Sequence, residues 1–151
     1  MNIFAGQNIY IPNNLREFFA RYCQTRSEGS KNKIEDSPFP RMVDFWFLGL
    51  GIAAERNLQP IKTQEKKDTY NAIEGNVLSD DFRADTIMLF CISKHGSIDI
   101  LDNPAEMLRF ANSYALAGIY DLVSELNKIN TGIDEPLDYL SNLCAKYLKT
   151  K

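Results

Sequence analysis

Between Met42 and Ala54 the chain reads Met-Val-Asp-Phe-Trp-Phe-Leu-Gly-Leu-Gly-Ile-Ala-Ala, with Asp44 as the only charged side chain. A helix that is apolar all the way round has to be covered on several sides, so this segment belongs at the centre of a fold. Asp44 near its start and Arg56 just beyond its end suit the helix dipole. Pro40 suits a first helical turn, where a missing N–H costs nothing, and Asn57 and Pro60 supply the stop. A central helix over Arg41–Arg56 is therefore expected.

The rest of the chain can cover it. Of 151 residues 44% are apolar, and nine Phe, seven Tyr and one Trp supply bulky area. A domain of this length buries roughly 70% of the surface its unfolded chain exposes. We expect one mainly α domain over 1–151, a strand-helix-loop-helix part at 7–60 followed by a helical part at 61–151. Gln7–Ile11 alternates as a short strand ended by Pro12. Asn13 or Asn14 then suits the cap of a helix to about Gln24, its apolar face built from Leu15, Phe18, Phe19 and Tyr22. Thr25 to Ser37 has the composition of a solvated loop.

Residues 61–79 are the least readable part: Gln64 to Tyr70 is charged, and Tyr70 to Leu78 suits either a helical turn or a short extended segment. Ser79 or Asp80 suits the cap of a helix running to about Ser93, with an almost wholly apolar stretch from Ile87 to Ile92 and Gly96 as its stop. Asn103-Pro104-Ala105-Glu106 is the strongest start signal, a cap followed by a first-turn proline and a glutamate three positions on. The helix it opens sets Met107, Phe110, Tyr114, Ile119 and Leu122 on one broad face and closes at Asn130-Thr131-Gly132. A last helix from about Glu135 to Lys149 sets Leu137, Leu140, Leu143, Cys144 and Tyr147 on one side.

Chemistry is sparse along this chain. Gly49-Leu50-Gly51 lacks the third glycine of a dinucleotide fingerprint and lies inside a helix, so close helix approach explains it better, as it does Ala115, Ala117 and Gly118. The single histidine, His95, stands at a helix end and cannot form a multi-histidine metal site. Asp80, Asp81 and Asp85 could hold Mg²⁺ in a nuclease, but acids at a helix start are already favoured by the dipole. Cys23, Cys91 and Cys144 are widely separated and odd in number, which suits thiols in a reducing cytoplasm. No apolar run approaches the ~18–20 residues that span a bilayer. No catalytic residue, cofactor or metal ligand is assigned, and no membrane contact is expected.

The net charge of −3 is divided unevenly. Residues 1–62 carry eight Lys or Arg and six acids, and residues 63–151 carry nine and fourteen. Any DNA contact would fall in the first third, although a nucleic-acid binder usually shows a stronger basic stripe. The order strand, helix, helix over Gln7–Arg56 is that of a ribbon-helix-helix protein, an obligate dimer that reads DNA with paired strands. The absence of Lys or Arg from the strand and the long interhelical loop weigh against base reading, so dimerisation is the more robust half of that alternative.

Two segments resemble a known family. Pro38-Phe39-Pro40-Arg41-Met42-Val43-Asp44-Phe45-Trp46-Phe47-Leu48-Gly49-Leu50-Gly51 is similar to a helix of small proteins encoded beside bacterial DNA-phosphorothioation (Dnd-type) modification and restriction genes. Asn112-Ser113-Tyr114-Ala115-Leu116-Ala117-Gly118-Ile119 resembles the Tyr-Ala-x-x-Gly-hydrophobic element near the end of the same proteins. The resemblance covers most of residues 7–126 and transfers no active-site residue. It implies an accessory role in phage defence, as a non-catalytic binding subunit beside larger ATPase or nuclease partners. Ile9, Tyr10, Ile11, Arg41, Asp44 and Trp46 are the expected partner or dimer contacts, with Trp46 a contact only if its ring faces outward.

Overall fold

The computed structural model describes residues 3–24, 37–62, 64–78, 80–129 and 136–149. The fold is mainly α, with five helices and one two-stranded antiparallel sheet among the described residues. Strand β1 (Asn8–Pro12) pairs with β2 (Thr69–Glu74), Ile9 opposite Ile73 and Ile11 opposite Tyr70. The register shifts between Ile9 and Tyr10, which leaves Ala72 as an extra residue on β2. Within the ambiguous segment Thr69–Glu74 is thus extended, and 3-10 turns flank it at Lys66–Asp68 and Gly75–Leu78. Its partner lies some sixty positions away in sequence, so no local turn signal announces it.

Helix α1 (Arg16–Tyr22) follows β1 through a 3-10 turn at Asn13–Leu15. The expected asparagine cap does not form. Asn14 instead accepts a hydrogen bond from the Tyr120 hydroxyl at 2.8 Å. The helix also ends before Gln24, because Cys23 turns extended and bridges to Phe39. Gln24 N–H donates to the Phe39 carbonyl at 2.7 Å, and Phe39 N–H to the Tyr22 carbonyl at 3.2 Å. That bridge delivers Phe39 to a ring cluster in which it stacks on Phe45 at 4.6 Å, with Phe19 at 4.7 Å on the same ring. The loop expected after Thr25 lies outside the described residues except for its end.

Helix α2 (Met42–Glu55) is the central one, as its apolar composition requires. Its cap is Arg41, so Pro40 precedes the helix and does not occupy the first turn. Asp44 closes a capping arrangement by accepting from the Arg41 backbone N–H at 3.0 Å. α2 packs chiefly on α4 (Pro104–Ile129), and small residues let the two backbones touch. A Cβ on Gly49 would sit 2.6 Å from both the Ala115 carbonyl and Ile119 Cγ1, and a Cβ on Gly118 would be driven into the Gly49 carbonyl. Gly51, by contrast, faces open space and takes no part in this contact.

Helix α3 (Asp81–His95) begins at Asp80, whose side chain accepts the Arg83 backbone N–H, and ends on Gly96 at φ +83°. Asn103 caps α4 by accepting from Glu106 N–H at 3.2 Å. The closing residues expected at 130–132 lie outside the described residues. Helix α5 (Pro136–Lys149) lays Leu140 and Leu143 on the core, while Cys144 faces out despite its expected place on the apolar side. Arg56, just after α2, ties three helices together. Its guanidinium donates to the carboxylates of Asp121 and Glu125 on α4 and to the Tyr147 hydroxyl on α5. No helix among the described residues is long and apolar enough to cross a membrane.

Candidate functional site

Three of the expected contact residues are core residues. Ile9, Ile11 and Trp46 are essentially inaccessible, at 1%, 0% and 0% exposure. The alternation that marks β1 as a strand points both isoleucines inward, and the Trp46 indole N–H is satisfied inside by Asn112 Oδ1 at 2.8 Å. The contact set narrows to Tyr10, half-buried, and to Arg41 and Asp44 at the start of α2. The strand that a ribbon-helix-helix dimer would pair with a second copy is paired here with β2. The Tyr10 carbonyl is also occupied, accepting from Asn112 Nδ2 at 2.9 Å.

Arg41 pairs with Asp44, and Asp44 is reached from the acidic start of α3 by Arg83. Its Nη2 donates to Asp44 Oδ1 at 2.9 Å and its Nη1 to Asp80 Oδ2 at 2.8 Å. Asp80 Oδ1 meanwhile accepts the Arg83 backbone N–H at 2.8 Å. This backbone hydrogen bond, helped by the guanidinium, holds the Asp80 carboxyl below its ordinary range. The metal reading of Asp80, Asp81 and Asp85 loses its first ligand to that cap. Among the described residues no group of three or more His, Cys, Asp or Glu could hold a metal ion.

Around this charged node lies apolar surface. Asp44, Phe47, Leu48, Asp80, Phe82 and Arg83 form a shallow depression between α2 and α3. Phe82 is 72% exposed and touches the half-buried Phe47 ring at a centroid distance of 6.0 Å. Leu89, seven residues on and so two turns along the same face, is 67% exposed. The apolar stretch Ile87–Ile92 is therefore not an all-round core segment. Only Ile87 and Cys91 are buried, and the opposite side meets water. Asp81 and Asp85 are also exposed on this helix, so the apolar stripe runs through an acidic field.

The residues that could have carried nucleophilic chemistry are placed otherwise. Burial pushes the Cys23 and Cys91 thiols up to about 12, with Asp44 adding to the effect on Cys23, so both stay protonated at neutral pH. His95 is exposed on the last turn of α3, its ring edge-on to Phe110 at 5.7 Å. The exposed stripe was missed in sequence because an unbroken apolar run does not say which of its residues will find a neighbour. Comparison with protein-family models, curated proteins and solved structures gives no significant match for this chain.

Proposed function

We propose that this chain is a non-catalytic accessory subunit of a bacterial DNA-modification or anti-phage defence system, working in the cytoplasm by docking onto larger protein partners. The observation that carries the reading is the exposed stripe of Phe82 and Leu89, set against Phe47 and bordered by Asp44, Asp80, Asp81 and Asp85. An aromatic anchor beside charged groups is the composition of an interface core with its rim. The acids favour a partner segment that offers an apolar side chain flanked by Lys or Arg. The resemblance of Pro38–Gly51 and Asn112–Ile119 to Dnd-associated proteins supplies the class of partner.

The test is co-expression with the products of neighbouring genes and size-exclusion chromatography of the mixture. A complex that Phe82→Asp and Leu89→Asp abolish supports the reading. A complex indifferent to both, or no complex with any neighbour, would overturn it. Light scattering of the isolated chain covers the homodimer: a dimer dissociated by Phe82→Asp would assign the stripe to a second copy.

A ribbon-helix-helix-like DNA-binding regulator is the second reading, favoured by the order of β1, α1 and α2. It requires phosphate contacts, whose affinity falls steeply with salt. Absence of a mobility shift even at ~50 mM salt would remove it.

A further inference from the structure

A separate cleft lies between β1, residues Ile61, Lys62, Gln64 and Lys66, and the first half of α4, with a volume of about 370 Å³. That is within the range of small-molecule sites, about 300–1,000 Å³. Three cations, Lys62, Lys66 and Arg109, line it, and no carboxylate does. This is out of character for a chain with net charge −3.

Elsewhere Arg41, Arg56, Lys67 and Arg83 each hold a carboxylate, while Arg16, Arg21 and Lys94 lie against aromatic rings. Among the described residues Lys62, Lys66 and Arg109 have no carboxylate partner; Lys66 Nζ only approaches the Tyr10 ring, at 5.6 Å from its centroid. Three cations along one cleft, with no carboxylate in its lining, give it a positive potential that favours an anion. The wall between them is fixed. Ile61 N–H donates to the Ser113 carbonyl at 3.0 Å, and Asn112 is locked between Trp46 and Tyr10. Ile61 and Leu108 add apolar lining.

We propose that this cleft binds a small phosphorylated ligand, its phosphate held by Lys62, Lys66 and Arg109 and its body laid against Ile61, Leu108 and Tyr10. A DNA duplex fits less well, since duplex binders commonly neutralise about 6–10 phosphates and three cations cannot.

The test is titration of the full chain with adenosine monophosphate, inorganic phosphate, adenosine and a short single-stranded oligonucleotide, followed by amide chemical shifts and calorimetry. The monophosphate should shift the amides of Tyr10, Arg109 and Ser113, while adenosine should not. Loss of one charge-assisted contact corresponds to roughly tenfold in affinity, so Lys66→Gln and Arg109→Gln should each weaken binding by about that factor. Lys67→Gln, which removes a neighbouring cation already paired with Glu65, should leave affinity unchanged. Weaker binding of inorganic phosphate is expected, and equal affinity would overturn the contact of the ligand's body with Ile61, Leu108 and Tyr10. No shift at ~10 mM monophosphate, affinity unchanged in both variants, or binding of the oligonucleotide alone would overturn the proposal.

Discussion

The indole N–H of Trp46 on α2 donates to Asn112 Oδ1 on α4 at 2.8 Å, and Asn112 spends its own N–H on the Tyr10 carbonyl at 2.9 Å. One side-chain amide therefore joins the central helix, its main partner helix and the first strand. Trp46 and Asn112 lie in the segments Pro38–Gly51 and Asn112–Ile119, as do Gly49 and Gly118, which meet at the same helix pair. These two segments therefore set how α2 and α4 pack.

The amide relay predicts energetic coupling. Trp46→Ala should cost ~3–5 kcal/mol, the range for deleting a buried large ring. Trp46→Phe keeps most of the packing but leaves Asn112 Oδ1 without its donor, a loss of about 1–3 kcal/mol. Asn112→Ala strands the indole N–H and the Tyr10 carbonyl by a similar amount. Because both changes break one bond, the double mutant Trp46→Phe/Asn112→Ala should lose less than the sum, by about 1 kcal/mol in urea unfolding. Strict additivity would mean that the bond contributes nothing.

Gly49 and Gly118 should tolerate no side chain. Each Cβ would meet backbone, which cannot rotate away, so Gly49→Ala and Gly118→Ala should each cost about 3 kcal/mol or more through forced separation of α2 and α4. Gly51 is the internal control. Nothing lies within 4 Å of its Cβ position, and it sits mid-helix, so Gly51→Ala should stabilise by ~0.5–1 kcal/mol. Equal effects at Gly49 and Gly51 in thermal unfolding would refute the packing account.

What could be read in the sequence was whatever is decided locally. Asp80, Gly96 and the Asn103-Pro104-Ala105-Glu106 start all act within one helical turn, and the ends of α3 and the start of α4 fall where they point. The central place of α2 followed from the lack of a polar face on that segment. What escaped depends on distant neighbours. β2 exists because β1 pairs with it, Asn14 is engaged by Tyr120 and does not cap, and Leu89 is exposed because no described element covers that side of α3. The cationic cleft escaped for the same reason. Lys62, Lys66 and Arg109 are unremarkable until the fold brings them to one cleft whose lining has no carboxylate.

Acid should weaken the start of α3 through Asp80. Its folded-state pKa is depressed by the Arg83 backbone N–H and guanidinium, so the folded state holds the proton less tightly than the unfolded one. The stabilising contribution is then fully present above the ordinary carboxylate value of about 3.9, and is lost as pH falls through the depressed folded value. Asp80→Asn retains a capping oxygen and removes the titration. The stability difference between wild type and Asp80→Asn should therefore shrink on acidification below about pH 4. A difference that stays constant down to about pH 2 would show that the carboxylate charge is immaterial there.

The three cysteines should separate by accessibility and by alkaline behaviour. Cys144 is exposed, whereas Cys23 and Cys91 are buried with thiols pushed up to about 12. Since the thiolate is the reacting species, iodoacetamide at about pH 8 should label one site per native chain, and Cys144→Ser should abolish that labelling. Denaturation should raise the count to all three. The same burial has a thermodynamic consequence. Unfolded thiols titrate near pH 8.5, so between about pH 9 and 12 the unfolded chain releases protons that the folded chain retains. Stability contributed by the protonated thiols is complete below that window and declines as pH rises through it. Cys91→Ala, whose thiol has the Met107 carbonyl as its hydrogen-bond acceptor, should lose packing at neutral pH but flatten the alkaline decline. Fast native labelling of Cys91, or an unchanged alkaline slope in that variant, would show that the site opens to solvent well below the global unfolding free energy.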